Sequence, residues 1–363
     1  MSGVAIYLNT KLGYLEGIRG IAALIVVIWH YVLYFYPPLA NTSDLSFKEF
    51  FYYNTHEQIL MLAAETPLCL FFHGQASVRL FFVLSAFVLT YKFFKTKNYE
   101  YLSAGAIKRY FRLLGPVVFS LFITYILVNL SLVGNIFIAT EFEFKQFLKE
   151  SFWGIFVNGS SPQNPPLWTM AYEFFGSMLV FSVAALFAKY KRRWIIYLIL
   201  VLLFHKTHYL AFVFGMILSD YFTSELYLKY QKRISNPKTI VFLLIVSLFL
   251  YTISGVRQQI WGSAIFIFCV LHSEVLKKFF SHNVFLFLGK ISFSMYVMHA
   301  VILSSFSYYL NSILIAYVNA FLSMFLTLAV SLLAIIPIAC FVEKYIDRNS
   351  IKLSKRVYEV IAK

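Results

Sequence analysis

Apolar runs long enough to cross a bilayer recur along this chain and dominate what it can fold into. A spanning helix needs about 20 mostly apolar residues, because each residue advances roughly 1.5 Å across a hydrocarbon core of about 30 Å. Ten segments of this kind stand out: 14–36, 67–91, 113–134, 166–188, 194–205, 208–224, 239–256, 259–276, 291–310 and 314–342. The fifth is short and meets the sixth across "HKTH" (205–208); the tenth contains Pro337, which should kink it or mark its end. Within lipid every backbone polar group must be satisfied inside the element. The expected fold class is therefore an all-α polytopic membrane protein with about ten transmembrane helices. Composition agrees: 60% of residues are hydrophobic and 13% charged, against about a quarter charged in soluble domains. The 41 Phe and 26 Tyr should divide between interfacial belts and the bundle interior.

Charge placement tests this division. With the N-terminus in the cytoplasm, 24 of the 31 Lys and Arg fall in segments on the inner side, five on the outer side, and two, Arg19 and Arg79, within spans. The bias follows the positive-inside rule at every loop, so both termini are expected in the cytoplasm. The net charge of +15 then lies along the inner face near anionic lipid headgroups, and no nucleic acid is expected as a partner. Cys69, Cys269 and Cys340 have neither pairing nor metal-ligand spacing. They read as buried free thiols, and no metal site is expected. The first apolar run is too long for a cleavable signal and should remain as a span. There is no internal repeat, low-complexity linker or soluble segment, so a single domain over 1–363 is expected. The longest outer loops are 37–66 and 135–165; the second holds "NGSSPQNPPLW", which should be irregular but packed.

Several ionisable residues interrupt the apolar runs. In "EGIRGIAALIVVIWHY" (16–31), Arg19 and His30 are 11 residues apart. At ~100° per residue they project from one helix face, separated by a rise of roughly 16 Å. Glu16 lies one turn before Arg19 and can pair with it. Intramembrane charges usually line a cavity or pathway, although a packed histidine and a snorkelling arginine would also account for these two. In "IKRYFRLLGP" (107–116), Arg109 and Arg112 share a helix face at the inner mouth of the third span, with Lys108 beside them. Such a pair can clamp phosphate through forked hydrogen bonds, or can simply be inner-loop charge.

In "HGQASVRLFFVLSAFVLTYKFFK" (73–95), Arg79 sits in or beside an apolar run, and Ser85 with Ala86 permits close helix packing. Ser85 lacks a Gly-x-Ser-x-Gly context and is not read as a nucleophile. In "NPPLWTMAYEFFGSML" (164–179), the prolines suit a helix start, and Glu173 falls about two turns into the fourth span on the outer side. By depth alone its partner would be His30. In "LGKISFSMYVMHAVI" (288–302), Gly289 and Lys290 mark an inner loop, which places His299 nearer the inner side than His30. In "FVEKYIDRNS" (341–350), Glu343 belongs to a solvated or ion-paired face.

Taken together, these stretches resemble the acyltransferase-3 family of integral-membrane acyltransferases, over nearly the whole chain. "YLEGIRGIAALIVVIWHY" is similar to the family's "LDGLRGIAALLVVLFH", with Arg19 and His30 at the matching positions. "LFFVLSAFVLT" resembles "FFVLSGFLL", with Ala86 in place of Gly. "IKRYFRLLGP" carries an Arg-x-x-Arg, "PPLWTMAYEFF" resembles "PLWSLSVEEQF", and "LGKISFSMYVMH" resembles "LGxISYSLYLLH". "FVEKY" is weakly similar to a terminal Trp-x-Glu element, with Phe341 for Trp. Arg79 departs from the pattern, standing where an acidic or small residue is common. The chain looks like the membrane-only form of the family.

The resemblance implies transfer of an acyl group, acetyl most often, from acyl-CoA to a hydroxyl of a cell-surface or lipid-linked glycan. The short outer loops fit a bacterial inner membrane as the setting better than the alternative, a eukaryotic endomembrane. His30 is then the expected general base, or a transient acyl carrier, with Glu173 orienting it and Arg19 nearby. Arg109, Arg112 and Lys108 are expected to meet the phosphates of acetyl-CoA. His299, Arg79, Ser85, Trp168 and Glu16 are expected to contact substrate or to be structural. A transporter or flippase for an anionic or lipid-linked metabolite is the competing class, since intramembrane Arg and His suit that too. Other acyl groups and non-sugar acceptors also remain within the enzyme reading.

Overall fold

The computed structural model describes residues 12–37, 70–71, 73–134, 141–253 and 255–362. Among them every regular element is helical. Cys69 and nearly all of the 37–66 loop fall outside the described residues. Cys269 and Cys340 are free thiols, the first fully buried and the second half-buried.

The first helix, α1 (Gly13–Phe35), and a helix late in the chain, Asn283–Ile302, form the spine of the bundle. They run in the same direction and meet through glycines. A Cβ on Gly20 would land on the Gly289 backbone nitrogen and within 2.7 Å of Leu288 Cβ; one on Gly289 would land on the Glu16 carbonyl oxygen, 2.6 Å from its carbon. His30 lies ten residues beyond Gly20, and His299 ten residues beyond Gly289. Two parallel helices in contact at those glycines therefore carry both histidines to one level, roughly 15 Å further along. Replacing Gly289 with Leu should cost several kcal/mol, because helix backbone cannot move aside as a side chain can. The variant is expected to lose its monodisperse peak in detergent. Gly13→Ala, whose new Cβ would meet Leu286 at an ordinary 3.6 Å, should behave as the parent.

The next helix, α2 (Gly74–Thr96), starts against Trp29, whose side chain lies 2.8 Å from where a Gly74 Cβ would be, and returns alongside α1. The expected close approach at Ala86 is present: a Cβ on Gly215 would lie 2.7 Å from Ala86 Cβ and 2.9 Å from the Phe87 nitrogen. Next comes α3 (Glu100–Asn129). The stretch expected as the second outer loop contains α4 (Phe144–Lys149), which continues through a π turn to Val157. A 3-10 turn at Pro165–Trp168 opens α5 (Thr169–Phe187). The Pro-rich approach is packed, as expected. Ser161, Gln163, Asn164, Pro166 and Leu167 are buried; Asn164 Nδ2 donates to Val297 O at 3.1 Å, and the Tyr296 hydroxyl donates to Pro166 O at 2.6 Å.

Then follow α6 (Trp194–Leu203), α7 (Tyr209–Phe222), α8 (Glu225–Ile234), α9 (Pro237–Thr252), α10 (Val256–His272) and α11 (Glu274–Phe280). The Asn283–Ile302 helix, α12, continues through a π turn into α13 (Tyr308–Leu314). Finally α14 (Ala320–Val342) continues through a second π turn, Glu343–Asp347, into α15 (Arg348–Ile361).

By length and composition, six helices among the described residues can cross a membrane, or eight if each of two bent pairs is one span. The bends are 98° between α8 and α9 and 102° between α10 and α11. The helices in the expected fifth and sixth spans have 10 and 14 residues, a rise of only about 15 and 21 Å. Each falls short of a roughly 30 Å core on its own.

Two local expectations need correction. Gly289 and Lys290 are not in a loop: α12 begins at Asn283, with Gly289 buried against α1 and Lys290 exposed on the helix flank. Pro337, expected to kink the last span or mark its end, does not end the helix, whose course runs 42 residues, to Ile361. Proline removes a single N–H from the ladder, and the hydrogen bonds on either side of it hold the helix.

Candidate functional site

The parallel register of α1 and α12 brings His30 and His299 into contact. His299 Nε2 is 3.2 Å from His30 Nδ1, with the ring centroids 4.8 Å apart. His299 is fully buried, whereas His30 is partly exposed. His30 Nδ1 lies 2.8 Å from Val26 O, and His299 Nδ1 lies 2.6 Å from Tyr296 O. A carbonyl only accepts, so each Nδ1 carries the proton and donates it. His299 Nε2 then offers a lone pair to His30 Nδ1–H, and His30 Nε2 is left as a basic nitrogen. Trp29 packs edge-on against His30 at 4.7 Å, and Tyr34 lies parallel to it at 6.4 Å.

This arrangement replaces two expectations. His299 is level with His30, not nearer the inner side. The reason is that α12 starts at Asn283, so His299 lies 16 residues into its helix, much as His30 lies 17 into α1. Nor is Glu173 the partner of His30. Its carboxylate forms an ion pair with Arg109 and accepts a 2.7 Å hydrogen bond from Ser85, while Arg109 Nη2 also donates to Ser85 Oγ at 3.1 Å. The depth estimate failed because the Pro-rich approach dips into the bundle. Thr169 Oγ1 donates to the Tyr296 hydroxyl at 2.9 Å, so α5 begins well inside the bundle and Glu173 is carried past the histidines.

Arg109 is thus buried and not part of a mouth-side clamp, whereas Arg112, on the next turn, is exposed. The Lys108 ammonium sits over the Tyr358 ring at 4.2 Å, a cation–π contact with α15. At the same end of the bundle, Arg19 Nη1 donates to both Glu16 oxygens at 3.0 and 2.9 Å, the ion pair that the spacing predicted. Glu343 pairs with Arg348 at 2.8 Å, in line with the expected ion-paired face.

Sequence reasoning missed Asp347. It is within electrostatic reach of Arg112 and Arg19, and its Oδ1 is buried with no hydrogen-bond partner. The signal was legible: Glu343 and Asp347 are one helical turn apart at the start of a mostly basic tail. Assigning the tail to an inner loop hid it. The packing of α15 on α3, where a Gly115 Cβ would strike Ser350 Oγ, is what delivers this carboxylate. Tyr296, Thr169 and Asn164, which join the Pro-rich turn to the His299 helix, were also missed.

The two remaining predicted residues lie on the other flank of α2. Arg79 is buried, with a 3.4 Å contact from Nη2 to Gln75 Oε1. Trp168 packs against Phe82, Tyr172 and His208 at 6.4, 5.5 and 5.2 Å. Among the described residues no group of three His, Cys, Asp or Glu side chains is placed to hold a metal ion.

A partly buried histidine pair and a largely buried Arg–Glu pair, inside a bundle of apolar helices of spanning length, define an integral membrane protein with polar chemistry in its interior. A sequence model described as an acyltransferase domain matches residues 12–340. The chain therefore belongs to the acyltransferase-3 family and is a membrane acyltransferase. No curated protein and no solved structure matches it.

Proposed function

We propose that this acyltransferase moves an acyl group, acetyl in the simplest case, from acyl-CoA to a hydroxyl of a cell-surface or lipid-linked glycan, in a bacterial inner membrane. The observation that carries this reading is the His30–His299 pair. Its carbonyl contacts leave His30 Nε2 as the lone-pair nitrogen, the form a general base requires. A sugar hydroxyl is a weak nucleophile near neutral pH and needs its proton removed as it attacks. His30 takes that proton, the hydroxyl oxygen bonds to the thioester carbonyl carbon, and the C–S bond breaks. The CoA thiolate then recovers the proton from His30. His299 acts as a positioning residue, because its lone pair and the Val26 carbonyl steady the transient imidazolium through Nδ1–H.

On the donor side, Arg112, Arg19 and Lys108 supply positive charge where CoA phosphates would enter, and Arg109, held by Glu173 and Ser85, supplies it deeper in the bundle. Purified protein in detergent with radiolabelled acetyl-CoA tests the class: slow release of free CoA supports transfer, and none under any acceptor condition supports transport. In the same assay Arg112→Ala should raise the apparent KM for acetyl-CoA by about tenfold, the worth of one charge-assisted contact, with a smaller change in kcat. An unchanged KM would make Arg112 a topology signal only. Mass spectrometry of surface glycans with and without the protein then identifies the acceptor by its lost acetyl mass.

A further inference from the structure

A second polar cluster takes no part in the reaction just described. Arg79 is 6% exposed. Among the described residues its guanidinium has one long hydrogen bond, to Gln75, no carboxylate partner, and a buried Nε with no partner at all. Two further buried atoms nearby are also unsatisfied, His208 Nδ1 and Gln259 Oε1. Gln259 Nε2 lies 3.0 Å from His73 Nε2, and the Tyr251 hydroxyl lies 2.9 Å from Ser77 Oγ. Arg79 is within electrostatic reach of His73, His208 and Tyr251. The starts of α2, α7 and α10 and the end of α9 thus bring cationic and hydrogen-bonding groups together, with no acid beside them among the described residues. A buried guanidinium is tolerated where an anion compensates it, and orphaned buried polar atoms point to an absent partner.

The position of the cluster is informative. The Gln75 contact shows Arg79 reaching back toward the start of α2, as helical side chains do, and that start packs on Trp29, next to His30. On the other flank His208 is set among aromatic rings, 4.8 Å from Tyr172 and 5.2 Å from Trp168. The negative faces of such rings suit the polarised C–H face of a sugar.

We propose that Arg79, His208 and Gln259 form an acceptor subsite for an anionic group, a carboxylate or phosphate on the glycan, with Trp168 and Tyr172 against the sugar ring. The proposal rests on the acyl-transfer reading and names the acceptor class: an acidic glycan, held so that a neighbouring hydroxyl reaches His30.

Binding to the full chain in phosphatidylcholine nanodiscs tests this without any acyl donor. The probes are methyl glucuronide, glucose 1-phosphate and neutral methyl glucoside. At least one charged probe should bind about tenfold or more tightly than the neutral one, as expected for a charged hydrogen-bonded contact. Arg79→Gln should erase that preference, and Arg79→Lys should keep part of it. If Arg79→Gln does not fold, His208→Ala takes its place and should reduce the preference several-fold. Equal binding of all three probes, or a preference untouched by these variants, would overturn the subsite. Displacement of the charged glycosides by added phosphatidylglycerol would assign Arg79 to a lipid headgroup and overturn the acceptor assignment. The outcomes separate cleanly: charge preference without CoA release sinks the acyl-transfer reading, whereas CoA release without charge preference sinks the subsite.

Discussion

His30→Ala should lower acyl transfer by roughly 10²- to 10⁴-fold, the range of a lost general base, while the purified protein keeps its elution volume and helical signal. The expectation of intact folding comes from the site itself. His30 is partly exposed, its polar contacts are a backbone carbonyl and one imidazole, and its ring neighbours Trp29 and Tyr34 lie on its own helix, so truncation removes little packing between helices. His299→Gln supplies the contrast. It keeps a side-chain acceptor near His30 Nδ1 but loses the imidazole, so turnover should fall by less than in His30→Ala, and the pH–rate profile should move with it. An unaltered profile in His299→Gln would show that His299 packs the helices and does not act through His30. Normal turnover in His30→Ala would sink the base assignment.

Glu173→Leu should be among the most destabilising single substitutions in the chain. Arg109 and Glu173 are mostly withdrawn from solvent, with side-chain exposures of 8% and 14%. Removing the acid strands a buried guanidinium, at a cost of about 3–5 kcal/mol. The melting temperature in detergent should drop by several degrees or more, and yield with it. Replacing both partners, Arg109→Met with Glu173→Leu, removes the stranded charge and should recover much of the loss, since a well-packed apolar pair can match a buried ion pair. Full stability in the single variant would mean that the pair is not buried as described. Activity in the double variant is a separate readout: restored stability with a raised donor KM would place Arg109 on the donor path.

How much of this was legible depends on the length over which each signal acts. Apolar runs are properties of 20-residue windows, and they located the six helices of spanning length among the described residues, although ten spans were expected. Spacing within one helix was also reliable: Arg19 and Glu16 pair as i, i+3 geometry requires. What failed was the matching of residues between helices. Glu173 was assigned to His30 on depth counted from Pro166, but depth depends on where a helix begins in the bilayer, and here the preceding turn is buried against α12. His299 was misplaced for a similar reason, when Gly289 and Lys290 were read as a loop although Gly289 is where α12 presses on α1. A glycine in an apolar run can signal either a break or a close contact, and only the partner decides between them. His73, His208 and Gln259 escaped notice because each is unremarkable in its own segment and acquires meaning from other elements.

The two histidines are separated by 269 positions, and this has a consequence for biogenesis. During synthesis α1 is inserted first, with its glycine face bare, and α12 arrives only after most of the chain has been threaded into the membrane. Until then Nδ1 of His30 lacks its imidazole neighbour. The pair is therefore completed only late in synthesis, and the order in which the helices emerge sets when this level of the bundle acquires both imidazoles.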